Sequence, residues 1–142
     1  MPNPSTKRPS IDNLFVNQVH QFNVDVIGIG DREIGLLSDK ELEYAIKAID
    51  EEKQEFFQAH HTQDLIGAVD AVIDLMYFSL GFLSRMGLSP EQISGCMTAV
   101  HMANMRKQAS KTMSKRVDGV ADAAKPEGWT GPEEAIAEIL GG

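Results

Sequence analysis

The chain has 142 residues, of which 42% are hydrophobic, and a formal net charge of -8. That is material for a single domain (1–142) with a packed core, which excludes a disordered chain. The acidic balance argues against nucleic acid and anionic membrane as partners. It leaves a small anionic substrate, provided that a metal brings positive charge.

Residues 1–10 are polar and proline-rich and read as a flexible N-terminus with no signal-peptide core. Helical spacing of Leu14, Phe15, Val19 and Phe22 predicts a first helix over about 11–22. The following stretch, about 23–38, holds Gly28, Gly30 and Gly35 and reads as a flexible connection or lid. Its glycine spacing is wrong for a dinucleotide loop, and no βαβ unit surrounds it.

A second helix is predicted over about 38–60, with Ser38 and Glu41 as a capping box. A third spans about 62–86 and closes on Gly87. A fourth opens with Ser89-Pro90-Glu91-Gln92, a capping serine followed by proline at the first helical position, and runs to about Gln108. Cys96, the one cysteine, reads as a small buried hydrophobe and suits a reducing cytosol. Residues 109–131 read as irregular, and a short helix over about 132–140 ends a tail of 109–142. The fold class is therefore all-α, a four-helix bundle-like protomer with an irregular C-terminal tail. Short connections make helices two, three and four antiparallel neighbours.

Chemistry enters with the carboxylates. On a wheel of the second helix, Leu42, Ala45, Ile46, Ile49 and Phe56 form the apolar stripe. One flank carries Ala45, Ala48, Glu52, Glu55 and Ala59, with Glu52 and Glu55 neighbours one turn apart; Glu51 points nearly the other way. The third helix is apolar almost all round, which predicts burial on every side. From Leu65 to Phe82 it is nearly long enough to span a bilayer, but Asp70 and Asp74 would each cost about 2.5–3.5 kcal/mol at a membrane centre. Two like charges on a buried helix must be protonated or neutralised by cations. Together with Glu52 and Glu55 they form a hard-oxygen cluster that suits Mg²⁺, with Mn²⁺ as a substitute.

Other metal chemistries lack their residues. No Glu-x-x-His, His-Glu-x-x-His, Cys-x-x-Cys or Walker loop is present. On the fourth helix the stripe Ile93, Met97, Val100 continues to Asn104 and Lys107. An amide and an ammonium there suit phosphate oxygens, and equally suit a helix end. Arg106 and Lys111 read as cations matched to the helix dipole; Lys115 and Arg116 extend a local basic cluster.

The order of Glu51-Glu52-Lys53-Gln54-Glu55, then Asp70-Ala71-Val72-Ile73-Asp74, then His101-Met-Ala-Asn104-Met-Arg-Lys107 and the tail Lys125-Pro-Glu-Gly-Trp129 resembles the MazG-like all-α NTP pyrophosphatases, in particular their phage-type members. The likeness covers about 11–132. One position departs: where the family carries glutamate three residues before the aspartate this chain has Ala71, and Asp70 takes over. The resemblance implies that Glu52, Glu55 and Asp74 hold Mg²⁺, with Asp70 the fourth carboxylate. It places Glu51 and Glu52 in the catalytic machinery, Glu51 orienting a water, and it puts Asn104 and Lys107 on phosphates. It implies homo-dimers or homo-tetramers. The base pocket falls to the first helix, with Phe22, and to the loop after it; Trp129 is a candidate for stacking on the base or for packing the tail.

The resemblance implies hydrolysis of a (deoxy)nucleoside triphosphate to monophosphate and pyrophosphate in the cytoplasm, the host's if phage-encoded. The residues themselves do not choose the base; a purine such as dGTP is the expected preference. Alternatives are a phosphoribosyl-ATP pyrophosphohydrolase, a dUTPase relative, and a catalytically inactive bundle that binds a nucleotide or a protein partner.

Overall fold

The computed structural model describes residues 13–113 and 115–141. Residues 11 and 12 of the expected first helix, and the expected flexible N-terminus 1–10, lie outside the described residues. The chain forms two compact units, 1–93 and 94–142.

In the first unit, helix α1 (Leu14–Phe22) runs directly into a π-helical turn (Asn23–Ile27) that stops at Gly28, whose φ is +81°. The chain thus stays helical five residues beyond the expected end, because no breaker occurs before Gly28. Helix α2 (Asp39–His61) starts at Ser38, whose hydroxyl accepts from the Glu41 N–H at 3.2 Å. The reciprocal half of the predicted capping box does not form. The Glu41 carboxylate instead accepts from the Ser38 hydroxyl at 3.2 Å and takes Arg32 at 2.7 Å and Arg85 at 3.2 Å. Helix α3 (Leu65–Arg85) begins later than predicted because Asp64, not Thr62, caps it, accepting from Gly67 N–H at 2.9 Å.

The packing of α2 on α3 corrects two expectations. Most of the predicted apolar stripe of α2 is not its core face: Leu42, Ile46 and Phe56 are exposed, while Ala45 of the stripe and Ala48, Glu52 and Ala59 of the flank are buried. Ala45, Glu52 and Ala59 recur every seven residues, the spacing that keeps one seam against a neighbouring helix. Opposite them on α3 lie the buried Ala68 and Ala71. Small side chains let two backbones approach closely, so the flank of alanines, not the larger residues, became the interface. Helix α3 is likewise not buried all round: Leu65, Ile66, Val69, Ile73 and Met76 are each more than half exposed, on one face of the helix.

The loop 28–38 is tied down rather than loose. Gly35 N–H donates to Met86 O at 3.0 Å, and Arg32 donates to Arg85 O at 3.2 Å. Gly87 ends α3 as predicted, with φ +88°, and the Glu33 carbonyl lies where a Cβ would stand. Substituting Gly87→Ala is expected to cost about 2 kcal/mol or more, read as a lower urea midpoint, because it combines left-handed strain with a backbone clash. An unchanged midpoint would show that the loop does not hold its place against α3.

Helix α4 (Pro90–Met105) has the predicted start: Ser89 Oγ accepts from Gln92 N–H at 3.1 Å and Gln92 Oε1 accepts from Ser89 N–H at 2.9 Å. It ends three residues earlier than expected. There the second unit holds a two-stranded antiparallel ribbon, β1 (Gln108–Met113) with β2 (Ala121–Ala124), in the stretch predicted to be irregular. Neither strand alternates apolar and polar residues, so the sequence carries no period-two signal there. Helix α5 (Glu133–Gly141) ends the chain, its Ile139 seated on Gly95 of α4. Among the described residues the fold is all-α apart from this ribbon. Cys96 is half-buried, and burial pushes its thiol above the usual range.

Candidate active site

The alanine seam between α2 and α3 is interrupted once, by Glu52. Its side chain is buried, and its Oε2 has no hydrogen-bond partner. Glu55, one turn on, and Asp74, facing it from α3, complete a triad in which one carboxylate oxygen from each residue lies within 4.8 Å of the other two. The helical repeat and the Ala-lined seam produce this convergence directly. Residues 52 and 55 share a face of α2, and the seam brings that face onto α3.

The electrostatics follow from the crowding. Burial, then hydrogen bonding with the Glu55 carboxyl and the charges of Glu55, Asp74 and Asp70, raise the Glu52 pKa from 4.5 to about 7. Burial, then the charges of Asp70 and Glu55, hold Asp74 above its usual range as well. Three carboxylates this close, one with an orphaned buried oxygen, form a donor set suited to a hard divalent cation. Asp70 is exposed and outside the triad, and acts on it through its charge. Ala71, the position of departure, is 1% exposed, packed in the seam where a longer acid would not fit without displacing it. Glu51 is exposed on the other side of α2.

Asp74 also stands on the wall of a cavity of about 410 Å³ between α1, the π turn, α2 and α3. The lining is mainly aromatic, with Phe22 edge-on to Tyr77 at 5.5 Å, joined by Tyr44, Phe78 and Phe82. Asn23 and Gly81, both buried, also line it. Arg85 lies at the far end, stacked over Tyr44 at 5.0 Å and paired with Glu41, whose carboxyl the Arg32 hydrogen bond holds low. Phe22 is thus in a pocket beside the acids. Asn23, Tyr44 and Arg85 are site residues that the sequence reading does not include. Asn23 had a signal: it continues the stripe of the buried Val16 and Val19, so it is a polar residue at a core position.

The remaining predicted residues lie in the second unit. Asn104 is exposed in the last turn of α4, and its carbonyl accepts from Lys107 N–H at 3.0 Å. Trp129 Nε1 donates to Ala103 O at 2.8 Å, with the ammonium groups of Lys107 and Lys125 at 5.3 and 5.0 Å from its ring. Trp129 therefore packs the tail onto α4. Arg106 donates to Thr130 O at 3.3 Å. The side chain of Lys111 lies outside the described residues, and Lys115 is exposed.

By length and composition α3 is apolar enough to cross a membrane, but it is also the helix that carries Asp70 and Asp74 and packs along α2. No curated protein matches the chain. The family profile for phosphoribosyl-ATP pyrophosphohydrolase matches residues 34–104, half of the chain. The match includes both carboxylate-bearing helices and ends at Asn104. The chain belongs to the phosphoribosyl-ATP pyrophosphohydrolase family, within the MazG-like all-α pyrophosphohydrolases.

Proposed function

We propose that this protein hydrolyses a (deoxy)nucleoside triphosphate between the α and β phosphates, with Mg²⁺ or Mn²⁺, releasing a monophosphate and pyrophosphate. The observation that carries the reading is the buried, orphaned Glu52 clustered with Glu55 and with Asp74, which itself lines an aromatic cavity. Such an arrangement offers a cation site at one end, through which phosphate charge could be neutralised, and a stacking surface at the other.

Glu52, Glu55 and Asp74 are the residues that hold the cation, with Asp70 adding negative charge from outside the triad. When bound, the cation supplies Lewis acidity toward phosphate oxygens and neutralises charge. Glu52, buried in the cluster, is also the candidate for taking a proton from an attacking water. Glu51, exposed on the other side of α2, is the candidate for orienting that water from an outer position. Phe22 and its aromatic neighbours take the base, with a purine such as dGTP preferred. Asn104 and Lys107 act on the phosphates. The exposed apolar face of α3 and the exposed Leu42 and Ile46 of α2 support a homo-dimer or homo-tetramer; the proposed place of work is the cytoplasm. Lys107→Ala is expected to raise KM about tenfold with kcat little changed; an unchanged KM removes Lys107 from the phosphate site.

The name of the matching family supports a second reading, phosphoribosyl-ATP as the substrate. One experiment separates the two: pyrophosphate release from each NTP, each dNTP and phosphoribosyl-ATP, with Mg²⁺ and with EDTA. Metal-dependent release from nucleoside triphosphates supports the first reading, and release from phosphoribosyl-ATP alone supports the second. No release from any of them overturns both and leaves a binding bundle.

A further inference from the structure

The aromatic cavity carries opposite charge at its two ends. Asp74 marks the acidic end, and Arg85 lines the other. The two are eleven residues apart on α3, three helical turns, so they leave the same face of the helix about 16 Å apart along its axis. No other lysine, arginine or histidine among the described residues lines the cavity.

The Arg85 guanidinium is held in place but not used up. Its central carbon lies over the Tyr44 ring, 5.0 Å from the centroid, and Nη1 donates to Glu41 Oε2 at 3.2 Å. The same oxygen accepts from Arg32 at 2.7 Å, so two guanidinium charges share one carboxylate and leave a positive surplus. The Arg85 side chain is 15% exposed. Its Nε and Nη2 have no hydrogen-bond partner among the described residues, and neither is sealed off from the surface. A guanidinium carries five N–H donors in a fixed fork and no acceptor. Whatever meets the unused part of this fork is therefore a hydrogen-bond acceptor, and a negatively charged one is favoured.

We propose that Arg85 is a ligand-binding residue, whose guanidinium takes an acceptor oxygen at the end of the nucleotide remote from the cation. In a nucleoside triphosphate that oxygen is a base carbonyl; in phosphoribosyl-ATP it belongs to the second phosphate. This rests on the cavity being the nucleotide pocket of the proposed hydrolase. With the reacting phosphates at the Asp74 end, sugar and base lie along Tyr77, Phe78 and Phe82, whose rings stack without regard to base identity. The far end of the ligand then arrives at Arg85. Glu41 is the positioning residue: anchored by Arg32, it fixes Nη1 and leaves the rest of the fork to the ligand.

Calorimetric titration of the full chain with Mg²⁺ tests this without turnover, using three probes. Inorganic pyrophosphate reaches only the cation end. The guanine of dGMP offers adjacent O6 and N7 acceptors, and phosphoribosyl-AMP carries a second phosphate. Arg85→Met keeps an apolar stem on Tyr44 and removes the fork. It is expected to weaken dGMP, phosphoribosyl-AMP or both at least about tenfold and to leave pyrophosphate within about twofold. Loss confined to dGMP names the base carbonyl, and loss confined to phosphoribosyl-AMP names the second phosphate. Arg32→Met breaks the same ion-pair cluster from the loop side and should leave all three affinities within about threefold. Should Arg85→Met fail to fold, Arg85→Lys keeps the charge and loses the fork, and should show a smaller loss for the same nucleotide. Nucleotide affinities that removal of the guanidinium leaves unchanged, an equal loss for pyrophosphate, an equal loss in Arg32→Met, or no nucleotide binding by the wild type at millimolar concentration each overturns the proposal. Arg85-dependent binding without pyrophosphate release leaves it standing and removes the catalytic reading. Pyrophosphate release with affinities indifferent to Arg85 does the reverse.

Discussion

Asp74→Asn is expected to lower metal-dependent pyrophosphate release by roughly a thousandfold or more while the protein stays folded. Asp74 is the only member of the triad contributed by α3, so its loss leaves two adjacent carboxylates on one helix and no triad member facing them. The substitution keeps the side chain's size and removes its charge, and so separates the site from the packing. Burial and like charge both hold Asp74 above its ordinary pKa, which means that its ionised form is unfavourable in the metal-free fold. The amide relieves that repulsion, and the thermal midpoint in EDTA should stay level or rise. The added midpoint from Mg²⁺ should shrink at the same time, since the ligand that stabilised the folded state binds more weakly. A variant that loses its fold would make Asp74 a structural residue. One that keeps full activity would remove the triad from catalysis.

The carboxylates were legible because helix geometry is nearly deterministic over one turn. Residues 52 and 55 must share a face, and acids on a helix as apolar as α3 are costly without a purpose. Which face of α2 packs was not legible. Hydrophobicity favoured Leu42, Ile46 and Phe56, whereas close approach of two backbones favoured Ala45, Ala48 and Ala59, and steric fit prevailed. The burial expected of α3 was too great for a related reason: an apolar helix in a protomer of this size has too few neighbours to cover every side. The helical continuation through Asn23 is hidden by the glycines that follow it, which draw the expected start of the loop forward. The β-ribbon has no alternation to show. Trp129 allows two readings from sequence, and its bond to Ala103 O, 26 residues away, is a long-range contact that no local pattern reports.

The pH dependence of stability should change form with the cation. In EDTA, the folded protein binds an extra proton at Glu52 between its ordinary pKa of 4.5 and its folded value of about 7. A raised acid pKa contributes stability that is fully present below 4.5 and is lost as pH rises through about 7, and Asp74 adds in the same direction. The thermal midpoint in EDTA should therefore fall from about pH 5 to about pH 8. With Mg²⁺ at saturating concentration the slope should flatten or reverse. The cation binds the deprotonated carboxylates, so its contribution grows over the same range in which the metal-free form weakens. The separation between the two curves is then widest at about pH 8 and nearly closed at about pH 5. Glu52→Gln should remove most of the EDTA slope, because it fixes the side chain in a neutral form that needs no proton. Parallel curves with and without Mg²⁺ would mean that the cation does not bind at this cluster, and an EDTA slope unchanged in Glu52→Gln would place the titrating group elsewhere.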